Sequence, residues 1–192
     1  ESVVGCKAVP RIQLQNGQYM DFQQMMHLME RGGKLEDLGF YVLNEVARNM
    51  SSWKIRGNTV LPVSIEMSAS QFSTTGSVEK IQEIVTRKNQ LNPSDFIFEI
   101  PERYFADGST VFEMAIKDLA ESGCRIAISR FGADHTSLHA IRRLPISGIK
   151  FHGEYFIEHM VNSKDTIILQ KIVEMAEELG MSVICGGINT KL

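Results

Sequence analysis

Polar and apolar positions alternate along this chain with two different periods. Six short apolar runs, at residues 3–9, 60–67, 96–100, 126–128, 148–151 and 183–185, predict strands. Between them, apolar residues recur at helical spacing. Phe22, Met25, Met26 and Met29 predict a helix capped by Asp21 and ended by Arg31-Gly32-Gly33. Phe40, Leu43, Val46, Ala47 and Met50 predict a second over 38–50. Further helices are predicted over 78–88, 111–122 (ended by Gly123), 137–143 (before Leu144-Pro145) and 166–179 (capped by Gly180). Asn16-Gly17 and Asn92-Pro93 mark turns. Strand–helix repeats of this kind predict an α/β fold with a parallel sheet, and in a closed (β/α) barrel chemistry sits at the C-terminal strand ends.

Those ends are where the pattern becomes chemical. Five of the six runs carry or meet a charged or polar residue there: Lys7, Glu66, Glu99, Ser129 with Arg130, and Lys150. The sixth runs into Gly186 and Gly187. A single charge at a strand end is ordinarily just solvated. The same feature on five strands that converge is a candidate site. Two carboxylates and three cations make it slightly positive, which suits an anionic ligand or a self-neutralised set of ion pairs. It does not suit a divalent metal, which needs several anionic oxygens.

Composition narrows the class. A chain of 192 residues with 43% hydrophobic and 22% charged residues is ordinary for one globular domain with a sizeable core. A net charge of −3 gives no footprint for a nucleic-acid polymer. No apolar run is long enough for a membrane span, and the start has no signal-peptide pattern. Cys6, Cys124 and Cys185 are odd in number and far apart, so they are expected as buried thiols in a reducing compartment. The chain starts at Glu1 rather than Met and has the look of a piece of something longer.

The motifs carry a specific resemblance. Gly5-Cys6-Lys7-Ala8-Val9-Pro10-Arg11 resembles the G-x-E-A-L-x-R strand of the EAL family, whose active members hydrolyse the bacterial messenger cyclic di-GMP. Residues 63–69, Val-Ser-Ile-Glu-Met-Ser-Ala, resemble its V-x-x-N-[LV]-S-A segment, and Phe98-Glu99-Ile100-Pro101-Glu102 its L-E-[IL]-T-E. Residues 126–134 resemble I-A-L-D-D-F-G-T-G. Leu144-Pro145 followed by Ile149-Lys150-Phe151-His152 resembles L-P…[IL]-K-I-D, and residues 185–190 resemble A-E-G-V-E-T. The resemblance implies a TIM-barrel-like (β/α) EAL domain over residues 1–192. It also implies that the barrel is incomplete here, lacking the family's first strand and its C-terminal strands and Q-G-[YF] segment. It further implies a cytoplasmic domain of a signalling protein, often beside a GGDEF, PAS or membrane module and often dimeric.

The departures matter more than the matches. Active relatives use two divalent cations, Mg²⁺ or Mn²⁺, to activate water against the phosphodiester. At the matching ligand positions this chain has Lys7 for Glu, Glu66 for Asn, and Ser129 and Arg130 for the bridging Asp pair. Gly186 replaces a catalytic Glu and Asn189 a second Glu, leaving Glu99 and Lys150. Lys7 and Arg130 bring fixed positive charge to the cation positions, so no functional catalytic set and no metal cofactor are expected. Other family features are kept. Arg11 matches a phosphate-binding arginine, Phe131 and Gly132 keep the loop after the Asp pair, and Glu102 matches the glutamate that holds that loop, with Pro101 for the neighbouring Thr.

Two roles for the charges stay open. Lys7 and Arg130 pair with Glu66 and Glu99 and plug the pocket, or Arg11, Lys7, Arg130, Phe131, Gly132 and Lys150 cradle cyclic di-GMP without metal. Three functions follow: an inactive regulatory or interaction module, with a protein partner or a second copy; a metal-independent cyclic di-GMP sensor; or a phosphodiesterase with rearranged ligands. His135 and His139 have H-x-x-x-H spacing without a third ligand, and His152 is a candidate for the pocket rim.

Overall fold

Period-two alternation separates the two faces of every strand. On β3 (Phe96–Pro101), Phe96, Phe98 and Ile100 point one way and Ile97 and Glu99 the other. The computed structural model describes residues 2–72, 74–106, 109–133, 138–151, 153 and 163–186. Within them, β1 (Cys6–Ala8), β2 (Val63–Glu66), β3, β4 (Arg125–Phe131), β5 (Gly148–Phe151) and β6 (Ser182–Cys185) form one sheet in chain order. Every neighbouring pair is parallel. This is the strand order of a (β/α) barrel. No pairing joins β6 back to β1 among the described residues, so the sheet is an open half-barrel.

Helices return the chain between strands: α1 (Phe22–Arg31), α2 (Leu35–Ile55), α3 (Ser77–Gln82), α4 (Thr110–Glu121), α5 (Leu138–Arg143) and α6 (Ser163–Glu178). They cover the outer face of the sheet. Val63, Ile65, Phe98, Ile126, Ile149 and Phe151 lie there, each 3% exposed or less. Phe40, Leu43, Ala47 and Met50 of α2 meet them at three- and four-residue spacing. Full burial of each such large side chain contributes about 1.5–3 kcal/mol, so this layer carries the fold.

The sequence pattern and the structure part company in a few places, each with a physical reason. The first strand is predicted over 3–9, but only Cys6–Ala8 pairs, against Val63–Ile65 on one side. Val3 and Val4 remain 75% and 80% exposed, and Cys6, on this sheet edge, is exposed rather than buried. Cys124 is buried, and that burial pushes its thiol up. The helix predicted over 38–50 runs Leu35–Ile55, because Glu36 and Asp37 favour its first turn and neither Gly nor Pro occurs between Phe40 and Gly57. The helix predicted over 78–88 is α-helical only to Gln82 and then widens to a π-turn, Glu83–Lys88. There Asn89 Nδ2 donates to the carbonyl of Ile84, five residues back.

Candidate functional site

The inner face differs from the outer one by a single step in the alternation. Register brings Lys7 opposite Ser64, Glu66 opposite Glu99, Glu99 opposite Ala127, and Ser129 opposite Lys150. Two glutamates side by side on neighbouring strands would repel. Lys7 settles between them: its Nζ donates to Glu66 Oε2 at 2.7 Å and to Glu99 Oε2 at 2.8 Å. Lys150 reaches Glu99 from the other side, donating to Oε1 at 2.8 Å and Oε2 at 3.1 Å. It crosses β4 to do so, and the small side chains of Ala127 and Ser129 on that strand leave the room.

The four charges therefore form one balanced cluster, drawn from β1, β2, β3 and β5. Glu99 is its centre at 1% side-chain exposure, with Lys7 at 27%, Glu66 at 20% and Lys150 at 18%. Burial alone would raise the Glu99 carboxyl. The charge of Lys7 and the hydrogen bonds from Lys150 and Lys7 outweigh it and hold the group below the usual carboxylate range. Burial likewise opposes charge on Lys7, but Glu66 and Glu99 prevail and raise the ammonium above its ordinary value.

Arg130 does not join them. Ser129 and Phe131 both pair with β5, but the register slips between them, and Arg130 is the extra residue at φ +56. Its half-buried side chain turns into a narrow cleft with Phe22, Met26, Glu66 and Tyr104. It has no carboxylate partner among the described residues, so the second cation on Glu99 is Lys150. Ser129 is 4% exposed, and its hydroxyl has no hydrogen-bond partner among the described residues.

The other candidates fall at varied distances from the cluster. Arg11 is exposed over the Tyr19 ring, 5.8 Å from its centroid, on the rim of a groove of about 430 Å³ between β1 and α2. The alternation of strand residues gave no sign of that groove. Phe131 is 1% exposed and packs edge-on against Phe151 in the core. The Gly132 N–H donates to the buried Glu102 Oε2 at 2.9 Å. A Cβ at Gly186 would lie 3.7 Å from Lys150 Cε, an ordinary contact, so a side chain there would enter the cluster. His139 is exposed on α5 beside Arg143. Asn189, Gly187, His135 and His152 lie outside the described residues.

Comparison with known proteins supplies the family. The EAL domain profile matches residues 1–191. The chain belongs to the EAL domain family. Its relatives include the bifunctional diguanylate cyclase/cyclic di-GMP phosphodiesterase MucR of Pseudomonas aeruginosa, 28% identical over 168 residues, or 88% of this chain and 24% of that protein. Signaling protein YkoW of Bacillus subtilis is 26% identical over 98% of this chain and 23% of its own length. The chain thus spans about a quarter of these relatives. Among solved structures, the PaMucR phosphodiesterase in complex with c-di-GMP superposes with a TM-score of 0.87 at 27% identity, covering 99% of this chain and 76% of that one. The FimX EAL domain of Pseudomonas aeruginosa bound to c-di-GMP gives 0.83 at 17% identity, covering 96% and 73%, a likeness of fold. No helix among the described residues is long and apolar enough to cross a membrane.

EAL phosphodiesterases use Mg²⁺ or Mn²⁺, so the cluster must be tested against a divalent ion. Among the described residues no three His, Cys, Asp or Glu side chains gather to hold one. Glu66 and Glu99 converge, but on the ammonium of Lys7. A divalent ion a few ångströms from that ammonium would meet repulsion on the order of several kcal/mol even at the effective dielectric of a protein surface. The residues present do not fit the metal pair.

Proposed function

We propose that this EAL domain does not hydrolyse cyclic di-GMP and serves as a regulatory or interaction module of a bacterial cyclic di-GMP signalling protein, in the cytoplasm. One observation carries the reading: Lys7 and Lys150 take both oxygens of Glu99, and Lys7 also takes Glu66. The carboxylates that could hold a cation are thus neutralised by the chain itself. Ser129, Arg130 and Gly186 add no carboxylate beside them. The module's output is then an interaction, with another protein or a second copy. The test is incubation with cyclic di-GMP and Mg²⁺ or Mn²⁺, followed by chromatography. No linear pGpG above a protein-free control is expected. Metal-dependent pGpG that disappears in Glu99→Ala would overturn the reading.

A second reading, metal-free binding of cyclic di-GMP, draws support from Arg130. Its half-buried side chain lines the narrow cleft beside Glu66, uncommitted to any carboxylate among the described residues, and a guanidinium suits a phosphate. Titration with cyclic di-GMP in EDTA separates the two. Saturable binding lost in Arg130→Ala favours the sensor; no binding leaves the interaction module.

A further inference from the structure

The two lysines of the cluster hold Glu99 in different ways. Lys7 bridges: its single nitrogen touches one oxygen of Glu66 and one of Glu99. Lys150 chelates, touching both oxygens of Glu99 and, among the described residues, neither oxygen of Glu66. Only Lys7 therefore occupies the space between the two carboxylates. We propose that Lys7 is the specificity-determining residue that denies this domain a divalent cation. The proposal rests on the reading of the domain as non-hydrolytic.

The geometry makes the exclusion local. Glu66 and Glu99 are register partners on adjacent strands, so the backbone sets their side chains next to one another. A cation bridging Oε2 of both must take the point that Lys7 Nζ holds at 2.7 and 2.8 Å. Mg²⁺ or Mn²⁺ would need oxygens at about 2.0–2.3 Å around that point, leaving no room for an ammonium. Once Lys7 is removed, the bridging position opens between two carboxylates. The hydroxyl of Ser129, buried and unpartnered among the described residues, adds a spare oxygen on the same inner face. Removing Lys150 subtracts the same unit of charge but opens no bridge, because Lys7 stays where it is. The two substitutions thus separate occupancy of a place from a general gain of negative charge.

The experiment is a titration with Mn²⁺, followed by loss of the free-ion electron paramagnetic resonance signal, on the full chain. Wild type, Lys7→Met, Lys150→Met and Lys7→Met with Glu66→Gln are compared, with far-ultraviolet circular dichroism confirming that each is folded. Lys7→Met is expected to bind Mn²⁺ at least about tenfold more tightly than wild type, from relief of charge repulsion and of the blocked position. Lys150→Met should stay close to wild type, and Glu66→Gln should abolish the gain. Three results would each overturn the proposal: wild-type Mn²⁺ binding that Glu66→Gln alone, titrated alongside, removes; no gain in Lys7→Met; or an equal gain in Lys150→Met. If Lys7→Met does not fold, Lys7→Gln, which keeps a polar group to bond Glu99, takes its place with the same expectation. Metal occupancy is read without hydrolysis, so no gain in Lys7→Met, or an equal gain in Lys150→Met, leaves the functional reading standing, whereas metal-dependent pGpG formation by wild type would sink that reading and the proposal that rests on it.

Discussion

The outer and inner faces of the sheet are built from alternate residues of the same strands, yet they are held by different forces. Outside, Phe98, Ile126 and Ile149 are each 0% exposed and gain their energy from area removed from water. Inside, one step along each strand, Glu99, Ser129 and Lys150 offer little apolar area. Order there comes from charge balance and from the small residues that let a lysine span two strands. The outer face should therefore be sensitive to volume and indifferent to pH and salt. The inner face should be the reverse.

The largest effect expected is on the outer face. Phe98→Ala should lower unfolding free energy in urea by about 3–5 kcal/mol, through lost burial and the cavity left behind. A loss under about 1 kcal/mol would mean that the layer repacks freely and the contrast is weaker than drawn. Next comes Lys7→Ala. Lys7 keeps a quarter of its surface in water and Glu99 keeps Lys150, so the loss should be roughly 2–3 kcal/mol, less than for a fully buried pair. Lys7→Ala combined with Glu99→Ala should recover part of it, giving a coupling of about 1 kcal/mol or more. Strict additivity would mean the two side chains are solvated separately.

The cluster also sets a pH window. Glu99 is held below its ordinary value near 4.5, so its contribution is complete above that value and fades as pH falls through the lower folded one. Lys7 is raised above 10.5, so its contribution is complete below that value and fades only at still higher pH. Thermal melts should show a plateau between these limits with a loss on the acid side. In Glu99→Gln that acid loss should shrink. An unchanged acid limb would place the titrating groups elsewhere.

The smallest effects expected are at β4. Arg130 sits at positive φ without an ion-pair partner among the described residues, so Arg130→Gly should stabilise by up to about 1 kcal/mol as left-handed strain is relieved. Ser129→Ala should be close to neutral, since its buried hydroxyl makes no hydrogen bond among the described residues. A clear loss in either would reveal a contact that the comparison of the two faces leaves out.

How much of this was legible in the residues follows from the same division. The strands, their order and the polar positions at their ends come from period-two alternation, and motif order points to the family. Lys7, Glu66, Glu99 and Lys150 are all strand-end residues, and the structure brings them together. Arg130 defeats that reasoning. Sequence position places it next to Ser129 at a strand end, but a bulge inserts it out of register with β5, and its side chain lines a narrow cleft instead of pairing with Glu99. The π-turn after Gln82 is hidden for a similar reason: the apolar spacing stays helical through it, and the Asn89 side-chain bond to the Ile84 carbonyl at its end leaves no mark on that spacing. The division of labour between a bridging and a chelating lysine depends on reach across β4, which spacing along the chain does not encode.

The central claim is that lysine ammoniums stand where a cation would. Its most direct measurement is a crystal structure of the chain grown with excess Mn²⁺, using anomalous scattering to locate the metal. The account predicts no anomalous peak within coordination distance of Glu66 or Glu99, with Lys7 bridging both carboxylates and Lys150 chelating Glu99. A Mn²⁺ peak between the two glutamates, with Lys7 swung away, would contradict it.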